Sequence, residues 1–251
     1  MSVEKIALVT GAGKRLGWAI AQALAEQGYA LGLHYNSSSA GAERLCAGIH
    51  AAGGYAALVQ KDLSQPETAG ELIAQTAAAL GGPVSVLINS AAAFQMDNLR
   101  DLTPESWQYL INVNAAAPVF LMQAFANQNP APTDGAIINL LDTQLTSASP
   151  ERFSYFCGKF ALEGATRLAA YDLGPQGIRV NAIAPGLVLP SDQSQQNFDD
   201  RQALTPLDAG LGPADIVQAV QYLIAARQVT GHTLVVDAGQ QLMGFGNAPI
   251  G

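Results

Sequence analysis

A phenol and an ammonium stand four residues apart in Tyr155-Phe156-Cys157-Gly158-Lys159. On a helix that spacing puts both on one face. A neighbouring cation favours phenolate, so Lys159 is expected to lower the Tyr155 pKa toward working pH. A phenol so tuned can hand a proton to a substrate atom as electrons arrive beside it. Far upstream lies Thr10-Gly11-Ala12-Gly13-Lys14-Arg15-Leu16-Gly17, between a short apolar run and an Ala/Leu-rich stretch. Glycines at such a turn let the backbone bend sharply and let a pyrophosphate approach a helix N-terminus. The spacing is not GxGxxG, because Leu16 holds the third glycine position. It fits a longer turn, TGxxxGxG, with Arg15 where the middle glycine would stand.

Charge decides which dinucleotide suits that turn. An NAD site places a carboxylate near the end of the second strand, against the ribose 2′-hydroxyl. Here that strand ends His34-Tyr35-Asn36-Ser37-Ser38, and no acid follows until Glu43. Lys14 and Arg15 supply positive charge and the serines supply hydroxyls, so NADPH is expected over NADH. His34 reads as a partly buried strand histidine at this binding stretch rather than a catalytic group.

The elements that must position these groups alternate along the chain. Apolar runs at Ile6–Val9, Ala30–Tyr35, Tyr55–Val59, Val84–Ile88, Ala136–Leu141, Ile178–Ile183 and Thr233–Val236 read as strands. Helical patterns fall between them at Leu16–Gln27, Ala40–Ala52, Pro66–Leu80, Pro104–Gln128, Phe153–Leu173 and Pro213–Ala226. Strands apolar on both faces, each followed by a helix, predict a parallel sheet covered on both sides. No linker or repeat interrupts the chain, so residues 1–251 are expected to form a single Rossmann-type α/β domain. The polar segment Ser191–Ala203 reads as a surface loop or a mobile lid.

Composition narrows the function classes. At 251 residues and 49% hydrophobic, the chain can bury a large core. Twelve Lys and Arg against twenty Asp and Glu give a formal charge of −8. That argues against nucleic acid or an anionic membrane as partner. Cys46 and Cys157 make no disulfide framework and no zinc spacing, so no metal is expected and a reduced cytoplasmic setting is. The uncharged span Ser106–Thr133 is broken by Asn112, Asn114, Pro118 and Asn127. It reads as a helix buried in the fold or against another subunit rather than in a bilayer.

Taken together, the chain resembles the short-chain dehydrogenase/reductase family over essentially its whole length. The matching pieces are Thr10–Gly17, Asp62-Leu63, Asn89-Ser90-Ala91-Ala92, Asn114, Tyr155 with Lys159, Arg179-Val180-Asn181 and Pro185-Gly186. The resemblance implies a strand order 3-2-1-4-5-6-7, with the site at the carboxyl ends of the strands. It implies Tyr155 as acid, Lys159 on the nicotinamide ribose, and Asn114 holding a water of the proton relay. Asp62 and Leu63 would lie at the adenine, and Asn89 and Ala91 in the ribose region. The family's pairing of long helices, here about Asn114–Gln128 and Phe153–Leu173, implies a homotetramer.

One departure points to a narrower likeness. The family carries a serine thirteen residues before the tyrosine, where this chain has Asp142. A hydroxyl donates to a ketone oxygen; an ionised carboxylate does not, and it raises a nearby phenol's pKa. It pairs instead with an amidine-like nitrogen, which suits a nitrogen heterocycle. Asp142, the Lys14-Arg15-Leu16-Gly17 turn, Leu33-His34-Tyr35 and Phe94 look like the pteridine reductase branch. That resemblance implies Phe94 stacked on a pterin, Arg15 reaching cofactor phosphate and substrate, and Asp142 with Tyr155 delivering a proton to a ring nitrogen. Ala92 and Ser37 depart from the branch, which often has serine and arginine there. Two other readings stay open: a carbonyl reductase acting on a substrate such as a 3-oxoacyl thioester, and a non-catalytic dinucleotide-binding regulator.

Overall fold

Alternation within the short apolar runs sets the architecture. The computed structural model describes residues 5–128, 134–190, 195–207 and 210–243. In chain order the elements are β1 (Ile6–Val9), α1 (Arg15–Glu26), β2 (Ala30–Tyr35), α2 (Ser39–Ala51), β3 (Ala56–Gln60), α3 (Glu71–Leu80), β4 (Val86–Asn89), α4 (Pro104–Ile111), α5 (Ala117–Gln128), β5 (Gly135–Leu140), α6 (Phe153–Leu173), β6 (Ile178–Pro185), α7 (Gln195–Ala203), α8 (Pro213–Ala225) and β7 (Thr233–Val236). The strands form one sheet in the order β3-β2-β1-β4-β5-β6-β7. Every neighbouring pair is parallel.

Successive side chains of a strand point to opposite faces. Ile6 and Leu8 accordingly join a core with Leu72 and Ile73 of α3, Phe125 of α5 and Leu162 of α6. Ala7 and Val9 join a second core with Ile20 and Leu24 of α1, Leu45 and Ile49 of α2, and Val220 and Leu223 of α8. The doubly wound parallel sheet expected from the sequence is therefore present. Its strand order reverses between β1 and β4, and such a switch point opens a crevice at the carboxyl ends of the strands.

Three elements differ from expectation. The helix expected over Pro66–Leu80 is a 3-10 turn at Pro66–Thr68 followed by α3. Gly70 separates them, and a Cβ there would lie 3.1 Å from that of Ala124, so the glycine admits α5. The stretch Pro104–Gln128 divides at a π-helical turn, Asn112–Ala116. Pro118 has no N–H to offer the Asn114 carbonyl four residues earlier, which disfavours regular α pairing there. By length and hydropathy Pro104–Gln128 could cross a membrane, yet more than half of its apolar window is buried within the fold.

The third difference concerns Ser191–Ala203. Residues 191–194 lie outside the described residues, and the remainder forms α7 rather than a loop. Only Phe198 of α7 is buried, so no apolar stripe announces the helix. Its surface carries Gln195 to Asp199 and Gln196 to Asp200 hydrogen bonds, at 2.8 and 2.7 Å, which support a solvated helix.

Candidate active site

The glycine turn joins β1 to α1 at the crevice, where a cleft of about 770 Å³ opens. Gly11 has φ +69°, and a Cβ there would lie 3.0 Å from Ala91 Cα at the end of β4. Gly13 faces the start of α2, where a Cβ would lie 2.6 Å from the Ser38 carbonyl oxygen. Arg15 adopts φ 52°, the left-handed conformation that a glycine would take without strain. This is the position expected to replace the middle glycine. Its guanidinium donates across the cleft to the carbonyls of Pro190, at 2.6 Å, and Leu189, at 3.2 Å. Arg15 thus lines the cleft and is tied to the segment after β6. Lys14 stays exposed at the mouth of the turn.

His34 lines the cleft but works on the protein itself. Its Nδ1 accepts from the Gly11 N–H at 3.1 Å, and its Nε2 lies 3.0 Å from the Lys61 carbonyl. The imidazole therefore clasps the ends of β1, β2 and β3. Burial depresses its pKa, against the Lys61 carbonyl, which favours the cation. Tyr35, Asn36, Ser37 and Ser38 border the same end. Asp62 Oδ1 accepts from the Ser64 N–H at 2.9 Å and from Asn36 at 3.4 Å, with Leu63 packed beside it. Pro185 and Gly186 close the opposite wall at the end of β6.

At the deep end, the Tyr155 hydroxyl donates to Asp142 Oδ2 at 3.0 Å. Asp142 Oδ1 accepts from the Gln144 N–H at 2.8 Å, where it caps the turn after β5. Lys159, buried, donates from Nζ to the Leu140 carbonyl at 2.7 Å and lies 5.8 Å from the Tyr155 ring centroid. Burial, then the Asp142 charge, raise the Tyr155 pKa well above its ordinary value, while Arg152 opposes them. The expected lowering by Lys159 is overturned in this state. Burial also pushes Lys159 down to about 8, with Asp142 acting against the shift. Phe94 packs edge-on against Tyr155 at 5.2 Å and remains 44% exposed, its ring available to a flat ligand.

Two of the expected site residues do not reach the cleft wall. Asn89 is buried and its side chain donates to Asn139 Oδ1 at 2.8 Å, bracing β4 against β5. Asn114 uses its side chain on Ala93, donating at 2.9 Å and accepting at 3.2 Å, and donates to the Leu110 carbonyl at 3.0 Å.

Two residues absent from the sequence reading position the site. Asp97, after β4, pairs with the start of α6: its N–H donates to Glu151 at 3.0 Å and its carbonyl accepts from Phe153 at 3.2 Å. Its Oδ1 accepts from the Ser154 N–H at 3.1 Å. This clasp sets Phe94 beside Tyr155. Arg152, at the N-cap of α6, also lines the cleft. A cation at a helix N-terminus opposes the helix dipole, and that misfit is the signal that marks it.

A glycine turn at the switch point with a buried Tyr/Lys pair across the crevice defines a dinucleotide-dependent oxidoreductase site. The chain belongs to the short-chain dehydrogenase/reductase family; residues 11–241 match the family profile described as enoyl-(acyl carrier protein) reductase. It is 33% identical to pteridine reductase 1 of Leishmania tarentolae, over 94% of this chain and 96% of that one. It is 30% identical to the 3-oxoacyl-(acyl-carrier-protein) reductase FabG of Staphylococcus epidermidis, over 96% and 100%. In structure it is similar to the NADP complex of FolM alternative dihydrofolate reductase 1 from Brucella canis, with TM-score 0.92 and 33% identity, covering 100% of this chain and 99% of that one.

Proposed function

We propose that this protein is an NADPH-dependent reductase of a dihydropterin or related pteridine. The observation that carries the reading is the 3.0 Å bond from the Tyr155 hydroxyl to Asp142 Oδ2, beside the exposed ring of Phe94. A ketone reductase wants a donor at position 142; a carboxylate there accepts from N–H groups of an amidine-like ring edge. The residues present fit the dinucleotide. Gly11 and Gly13 leave room at the helix N-terminus, and the β2 end offers serines and no acid to a 2′-phosphate. Lys14 supplies the local cation. The Brucella relative was solved with NADP.

When bound, the cofactor supplies hydride to the C=N carbon. The chain's own part is the proton. Tyr155 and Asp142 share one at the floor of the cleft, and it passes to the ring nitrogen as that carbon is reduced. Lys159 lies in the same buried pocket, its ammonium donating to the Leu140 carbonyl, and would hold the nicotinamide ribose. Phe94 covers the heterocycle's face.

Mixing the protein with NADPH and either dihydrobiopterin, dihydrofolate, acetoacetyl thioester or buffer tests the reading through cofactor absorbance. Oxidation with a pterin is expected. Oxidation with the thioester alone would favour the carbonyl reductase reading, which the 30% identity to FabG supports. Cofactor binding with no turnover on any substrate would favour a regulator.

We further propose a reducing cytoplasm as its setting, which suits its two unpaired thiols. We also propose that it assembles as a homotetramer, as the family resemblance implies. Phe160, Gly164, Leu168 and Tyr171 follow one another at helical spacing on α6, and the three large ones are exposed. Nothing lies within 4 Å of where a Gly164 Cβ would be, which leaves that face open for a partner helix.

A further inference from the structure

Arg152 lines the substrate side of the cleft, three residues before Tyr155. Its guanidinium lies 4.9 Å from the Phe94 ring centroid. One N–H donates to Gln144 Oε1 at 3.2 Å. The ion pairs among the described residues involve other arginines and Lys61, and none reaches Arg152. Most of its five donors are therefore uncommitted, on a side chain that is neither buried nor fully exposed.

The other cations of the cleft are occupied or distant. Arg15 is bound to two carbonyls, Lys159 is buried on the Leu140 carbonyl, and Lys14 stands at the glycine turn. The chain as a whole carries −8, so no diffuse positive field draws an anion toward the site. An anionic group reaching the substrate end must be met locally, and a planar guanidinium matches a carboxylate bidentately.

We propose that Arg152 receives a carboxylate carried on the substrate beyond its reduced ring, and so selects acidic pterins of the folate type over neutral ones. The inference rests on the pteridine reading above and deepens it. Phe94 holds the ring, Gln144 orients the guanidinium, and the fork faces the side chain that leaves the ring at the cleft mouth. Its charge also acts on the Tyr155 phenol, against Asp142, which puts it within electrostatic reach of the reacting groups.

The test compares kcat/KM for dihydrofolate, which carries carboxylates, and dihydrobiopterin, which carries none. Wild type, Arg152→Gln and Arg152→Lys are measured at low and high salt. In Arg152→Gln the dihydrofolate to dihydrobiopterin ratio is expected to fall about tenfold or more, through KM, as for a lost charge-assisted pair. Arg152→Lys should recover part of it. Added salt should raise the wild-type KM for dihydrofolate and leave that of Arg152→Gln nearly flat. An unchanged ratio, with both substrates losing equally, would mean that Arg152 only steadies Phe94, and would overturn the proposal. If wild type reduces neither pterin, the pteridine reading fails by itself. Tryptophan-fluorescence titration with folate and its uncharged diamide then decides. A preference for folate that Arg152→Gln abolishes upholds the carboxylate site, and no preference refutes it.

Discussion

Tyr155 and Asp142 hold one proton between them at 3.0 Å, and the phenol is the less acidic for it. A phenol held protonated up to high pH is a store rather than a ready acid, and on the proposed mechanism it discharges only as a ring nitrogen gains basicity. Tyr155→Phe removes the store but not the cofactor cradle. Turnover should fall at least about a hundredfold, the low end for a lost general acid, while NADPH affinity by fluorescence titration stays near wild type. Lys159 makes a separate prediction. Burial lowers its pKa from 10.5 to about 8. Between those values the unfolded chain binds a proton that the folded chain has shed, so stability rises with pH across that window. Below about 8 the buried ammonium costs folding something of order 3 kcal/mol. Lys159→Met cannot take the proton. Urea midpoints of the two proteins at pH 7 and pH 10 should show wild type gaining on the variant, and a constant difference would contradict the buried-charge account.

Among the elements, α6 carries the most consequence, because its first turn holds Arg152 and Tyr155 and is fastened from outside by Asp97. The carboxylate there serves as a cap drawn from 57 residues away. Asp97→Ala should cost about 1 kcal/mol, the usual value of a lost cap, and should lower kcat by shifting the phenol. Asp97→Asn keeps an acceptor and should restore most of both, read by thermal unfolding and steady-state kinetics. A full loss in Asn would mean that charge, not capping, is what matters. This fastening also shows where sequence reasoning stops. The strands, the glycine turn and the Tyr155/Lys159 face were legible, since each is written in local spacing. Asp97 was not, because a bridge between chain-distant loops leaves no periodic trace, and Arg152 showed only as a cation misplaced at a helix start. Asn89 looked like a cleft residue beside Ser90 and Ala91, and only strand alternation turns it inward. The direction of the Tyr155 shift needed the burial of the ring, which spacing does not report. α7 lacked an apolar stripe to betray it.

For the molecule as a whole, the open stripe on α6 is the feature that a lone subunit does not account for. Leu168 is 74% exposed and Tyr171 89%. If this face pairs with its own copy, as proposed, replacing both with glutamate puts like charges into the pairing, where desolvated charge is costly. Light scattering should show wild type at four subunit masses and the double variant at fewer; a wild-type monomer would remove the tetramer. The clasp between Asp97 and α6 has its own consequence at this scale. The loop that follows Phe94 and the turn that carries Tyr155 are stitched to each other. A substitution that loosens one is therefore expected to disturb the aim of the other.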